Sequence, residues 1–146
     1  MADGFDILSE EHRAVERLFE TYRHDPEDSI AHEICAQLGV HTRIEEAALY
    51  PALRRYVDGG DDLADVAEQE HAAAKSIIAR IYDSPPEDLF DLMAELRREV
   101  EHHVESEESE LFPQMRESGV DADLVGAEIQ RTRPAAEAGT ARSRAT

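Results

Sequence analysis

Residues 41–51 read HTRIEEAALYP, and residues 103–113 read HVESEESELFP. Both follow one pattern: a His, a Glu four residues on, a second Glu, a Leu, an aromatic ring and a Pro. Residues four apart on a helix share a face. His41 with Glu45, and His103 with Glu107, each present an imidazole and a carboxylate to one place. Two more histidines, His12 and His71, lie 29 and 32 residues before the paired ones, and each follows a Glu, Glu11 or Glu70. The chain reads as two similar helical hairpins. Packed about a pseudo-twofold axis, they bring His12, His41, Glu45, His71, His103 and Glu107 together.

The elements that must position these residues follow from periodicity and from where Gly and Pro fall. Four main helices are predicted over roughly 4–24, 27–57, 61–83 and 87–117. They are separated by Asp25-Pro26, Asp58-Gly59-Gly60 and Ser84-Pro85-Pro86, and the last stops at Ser118-Gly119. A short fifth helix is expected over 121–131. The remaining RPAAEAGTARSRAT carries almost no large apolar residue and is expected to be a disordered tail. Short links between long helices imply antiparallel neighbours, so the expected fold is all-α: an up-down-up-down four-helix bundle over 1–120, with a short C-terminal helix and flexible tail over 121–146.

Each predicted helix carries an apolar stripe with steps of three or four. The stripes are Phe5, Leu8, His12, Val15, Phe19, Tyr22; Ile34, Leu38, His41, Glu45, Leu49; Leu63, Ala67, His71, Ala74, Ile78, Ile81; and Leu89, Leu92, Leu96, Val100, His103, Glu107, Leu111. A His interrupts every stripe near its middle. Buried imidazoles and carboxylates are costly unless paired or bound to metal. Two core glutamates without a cation would repel, and one would have to protonate. A metal centre removes both costs. Four imidazoles with two bridging-capable carboxylates suit two iron ions. All-oxygen sites favour magnesium or calcium, and thiolates are absent; zinc is compatible with the ligand types.

The order H…HxxxE…H…HxxxE, with its LYP and LFP tails, resembles the hemerythrin-like (HHE cation-binding) family over roughly residues 5–117. The resemblance implies a four-helix bundle around a non-haem di-iron centre. His12 and His41 would serve one iron and His71 and His103 the other. Glu45 and Glu107 would bridge them, with an oxo or hydroxo group between. Oxygen-carrying members have a fifth His, in HxxxH spacing on the third helix, where this chain has Lys75. They also use an Asp one residue later than Glu107. The resemblance therefore implies two five-coordinate irons, both with an open position. Such a centre suits hydrogen peroxide or nitric oxide better than reversible oxygen binding. Catalase- or peroxidase-like turnover is the expected role; a non-enzymatic oxygen binder or an iron or redox sensor is the alternative. A metal-free interaction bundle is a third reading, opposed by the core glutamates.

Tyr50 stands where the second repeat has Phe112, so the repeats differ there by one hydroxyl. A straight helix places Tyr50 about 180° from His41, which favours a packing role. A π-type bulge next to Pro51 would turn the hydroxyl to the metals as a ligand or hydrogen-bond donor. Glu11, Glu46, Glu70 and Glu108 neighbour the site residues. Solvation is their plainer reading, and support of the imidazoles the sharper one. His24, His32 and His102 lie off the stripes.

Net charge is −19, which disfavours nucleic acid and anionic membranes. No apolar run approaches the length of a bilayer span. The first residues lack a secretory pattern, and Cys35 has no partner for an internal disulfide, so a cytoplasmic protein is expected. Nothing in the composition points to a protein partner.

Overall fold

The computed structural model describes residues 2–145. Helix α1 spans Gly4–His24. Its start is fixed by Asp3, whose carboxylate accepts from the backbone N–H groups of Phe5 and Asp6 at 2.8 and 3.1 Å. The second predicted helix is three pieces in line: α2, Asp28–Ile44; a π turn, Glu45–Leu49; and α3, Tyr50–Tyr56. Gly59, at φ 75°, reverses the chain into α4, Gly60–Asp83. After a single 3₁₀ turn at Pro86–Asp88, the fourth predicted helix repeats the second: α5, Leu89–Ser106; a π turn, Glu107–Leu111; and α6, Phe112–Glu117. No strand is present among the described residues.

The two π turns have one cause. Pro51 and Pro113 each follow the aromatic residue of the repeat. A proline inside a helix donates no hydrogen bond, and its ring crowds the carbonyl four residues back. The chain responds by widening one turn. The N–H of Tyr50 bonds the carbonyl of Glu45, and the N–H of Phe112 bonds that of Glu107, five residues back in each case.

The predicted bundle is the one observed, with its helix ends close to expectation. Two details differ. The buried face of α4 runs through Ala64, Ala67, His71, Ala74, Ile77 and Ile81, while Leu63 and Ile78 are half-buried. The fifth helix, α7, spans Ala122–Ala145, where the sequence suggests a helix ending near 131. Of the expected tail only Thr146 lies outside the described residues. α7 packs on α1 and α2. Val125 and Ile129 enter the core, and beyond them small residues allow close approach. A Cβ on Gly39 would fall 2.7 Å from Thr140 Cγ2.

The core consists of two apolar clusters. One holds Phe5, Leu8, Leu49, Leu53, Met115 and Ile129. The other holds Phe19, Ile34, Leu38, Leu92, Met93 and Leu96. Four buried His and two buried Glu belong to neither cluster, and neither do the buried Thr42 and Thr140.

Candidate metal centre

α1 supplies His12, α2 supplies His41, α4 supplies His71 and α5 supplies His103; the two π turns supply Glu45 and Glu107. All six are buried, and both glutamates are fully so. They form two groups that share the carboxylates: His12, His41, Glu45, Glu107 and His71, His103, Glu45, Glu107. Within each group the ligand-type atoms all lie within 4.8 Å of one another.

Each carboxylate gives one oxygen to each group. Glu45 Oε2 lies 3.2 Å from His41 Nε2, and its Oε1 lies 3.0 Å from His71 Nε2. Glu107 Oε1 lies 3.1 Å from His12 Nε2, and its Oε2 lies 3.1 Å from His103 Nε2. The two Nε2 atoms within each group are 3.2 Å apart. Donors at right angles around one ion, each about 2.1 Å from it, are themselves about 3 Å apart. The spacing is that of a shared cation. Two carboxylate oxygens support this: Glu45 Oε2 and Glu107 Oε1 are buried and accept no hydrogen bond, although an imidazole nitrogen stands near each. Their lone pairs are left for something else. Hard oxygen with imidazole nitrogen suits iron or zinc, so the residues present fit the metal that the sequence resemblance implies.

All four imidazoles are held from behind. His12 Nδ1 is 2.6 Å from Glu108 Oε2, His41 Nδ1 is 2.7 Å from Glu11 Oε1, His71 Nδ1 is 3.0 Å from Glu46 Oε2, and His103 Nδ1 is 2.8 Å from Glu70 Oε1. A Nδ1–H donated to a carboxylate fixes the tautomer and points the Nε2 lone pair inward. The pattern obeys the pseudo-twofold. The Glu before each single His grips the paired His of its own hairpin. The Glu after each shared carboxylate grips the single His of the other hairpin. Each outer carboxylate also meets a further basic side chain: Arg133 on Glu11 at 2.6 Å, Lys75 on Glu46 at 3.1 Å, His102 on Glu70 at 3.1 Å, and Arg13 on Glu108. Burial disfavours charge on Glu11, Glu70 and Glu108, but these partners keep all three below the ordinary carboxylate range. For Glu46 the His71 hydrogen bond is the leading cause of the same shift.

These four glutamates are what the sequence reading undervalued. Their recurrence beside the ligand-type residues in both repeats was the available signal. Lys75 is bound to Glu46 and is not directed into the centre. His24 pairs with Glu20, and His32 stacks on Tyr82, both away from the cluster.

Tyr50 is buried with its hydroxyl 2.9 Å from His71 Nε2, 3.1 Å from Glu107 Oε2 and 3.4 Å from Glu45 Oε1. Burial, then the charges of Glu45 and Glu107, push this phenol far above its usual range, so without a cation it stays protonated. Its counterpart Phe112 is also buried and stacks parallel to His12. The two halves thus differ by one hydroxyl. Both orphaned oxygens face the half that lacks it.

Against solved structures, the fold is similar to a crystal structure from Mycobacterium kansasii of a hemerythrin HHE cation-binding domain-containing protein. The TM-score is 0.79 at 20% identity, over 95% of this chain and 90% of that one. No curated protein matches. The family model for the hemerythrin HHE cation-binding domain matches residues 3–115. The chain belongs to the hemerythrin HHE cation-binding domain family.

Proposed function

We propose that the protein is a non-haem di-iron protein that consumes hydrogen peroxide. His12 and His41 hold one ion and His71 and His103 the other, while Glu45 and Glu107 bridge them. The observation that carries this reading is the division of each carboxylate, one oxygen to each imidazole pair, with two oxygens left unbonded. Bound iron supplies Lewis acidity and redox capacity at peroxide oxygen. The chain's own part is positional. The outer carboxylates fix the imidazoles, and the two apolar clusters brace the helices that carry them. The Tyr50 hydroxyl serves the His71 and His103 half as ligand or proton donor.

Lys75, where oxygen carriers place a further His, is engaged by Glu46. Among the described residues no fifth imidazole joins the cluster, which favours peroxide turnover over reversible oxygen binding. Nitric oxide is the competing substrate. The test is iron content per chain after expression with iron, followed by steady-state consumption of hydrogen peroxide and of nitric oxide. Two irons with peroxide turnover are expected. Reversible oxygen uptake by the reduced protein without oxidation would replace this reading with carriage. Folded protein without metal would remove it.

A further inference from the structure

A cavity of about 600 Å³ opens beside the imidazoles of His41, His71 and His103. Much of its wall is apolar: Val15, Leu38, Ala74, Ile78, Val100 and Val104. A water molecule's share of liquid volume is about 30 Å³. Hydrogen peroxide or a diatomic gas would occupy a small fraction of this space. Cavities of roughly 300–1,000 Å³ with apolar walls and a few polar groups are the size that holds organic ligands.

α7 contributes a polar group to this wall. Thr140 is 7% exposed, and its Oγ1 has no hydrogen-bond partner. A helical Thr commonly bonds back to a carbonyl one turn earlier, as Thr132 does to Glu128 at 3.0 Å. Thr140 does not, and it lines the cavity. An unpaired buried hydroxyl is costly in a closed protein, so this one is left for a ligand's polar group. The charge of the lining narrows the class. Beside the imidazoles stand four carboxylates, Glu11, Glu70, Asp83 and Glu99, and two basic chains, Lys75 and Arg43, on a chain of net charge −19. A carboxylate is repelled from such a mouth, whereas a neutral molecule is not.

We propose that the cavity binds a neutral aliphatic molecule bearing one hydroxyl or hydroperoxyl group, its chain along the apolar wall and its oxygen on Thr140 Oγ1. The substrate class of the site then widens to the organic hydroperoxides, each reduced to its alcohol and water while hydrogen peroxide, the reductant, is oxidised to oxygen, a step that rests on the peroxide reading above.

The test is calorimetric titration of the iron-loaded full chain with octanol, a redox-inert stand-in for an alkyl hydroperoxide. Saturable binding at one site is expected. Ile78→Trp, which fills the cavity, should weaken it at least about tenfold, and Thr140→Val should weaken it several-fold. Ala79→Trp, at an exposed lining position, replaces Ile78→Trp if circular dichroism shows that variant to be misfolded. No saturable binding, or equal binding by wild type and the filled variants, overturns the proposal. Hydrogen peroxide consumption by the same samples separates the two readings. Turnover without octanol binding overturns only the cavity ligand. Octanol binding without turnover keeps the cavity ligand and overturns the peroxide chemistry.

Discussion

The guanidinium of Arg133 lies 2.6 Å from Glu11 Oε2, and the other oxygen of that carboxylate lies 2.7 Å from His41 Nδ1. α7 is thereby tied to one of the imidazoles of the centre. Removing a carboxylate that orients a metal-bound imidazole typically costs about 10–100-fold in metal affinity. Glu11→Ala should weaken iron binding by about that factor, and Arg133→Ala should act in the same direction by less. Iron transfer to a chelator of known affinity measures both. Unchanged transfer in Glu11→Ala would mean that His41 needs no support.

Tyr50→Phe makes the two halves of the centre alike. The variant should fold and keep its iron, because the four imidazoles and two carboxylates remain. If the phenol binds iron, a long-wavelength absorption band present in the wild type should vanish. An identical visible spectrum would confine Tyr50 to donating a hydrogen bond.

Without metal, the cluster is a set of ion pairs whose pH dependence has a definite sign. Burial lowers the pKa of the His41 imidazolium, but Glu45, Glu11 and Glu107 outweigh it and raise the value to about 10. His71 and His103 are raised for similar reasons. Burial opposes charge on Glu45 and Glu11, yet their imidazole partners hold both below 4.5. A raised histidine stabilises the fold fully below its unfolded value of 6.5, and that contribution fades as pH rises toward about 10. A lowered carboxylate stabilises above 4.5, and its contribution fades as pH falls below that. The metal-free protein should therefore melt highest between about pH 4.5 and 6.5 and lose stability on both sides. Iron requires unprotonated imidazoles, so the loaded protein should not show the alkaline decline. Thermal melts with and without chelator across this range decide it.

Gly60 starts α4 directly beneath α3. A Cβ there would fall 2.0 Å from the carbonyl oxygen of Leu53, which is backbone and cannot swing aside. Gly60→Ala should destabilise by about 1–3 kcal/mol, the usual cost of forced overpacking. Denaturant unfolding measures it. A wild-type midpoint would show that the α3–α4 turn gives way freely.

Much of the centre was legible because a ligand-type residue in the middle of an apolar stripe conflicts with burial, and six such conflicts recur at matching depth. The widened turn at Tyr50 was legible through Pro51. The partners of the imidazoles were not. A Glu next to a buried His or Glu on a helix points about 100° away, and only tertiary packing decides what it meets. Glu108 meets His12, 96 residues distant. The length of α7 was hidden for a different reason. Pro134 reads as a stop, and the residues that follow are small and polar. They pack by close approach at Gly39 and Gly139, which leaves no apolar stripe to detect.

The π turns make each long helix two helices with separate phase. In an unbroken helix Tyr50 would follow Glu45 by about 140°. The extra residue returns about 100° of that, which brings the phenol round to the side of the carboxylate. Closing that turn with every residue kept would restore an even pitch and swing the ring outward, with no candidate ligand changed upstream. The candidate ligands and the aromatic neighbour are thus set by independent rotations of one continuous chain. Each half of the centre can be retuned at its π turn, without substituting any of the six candidate ligands.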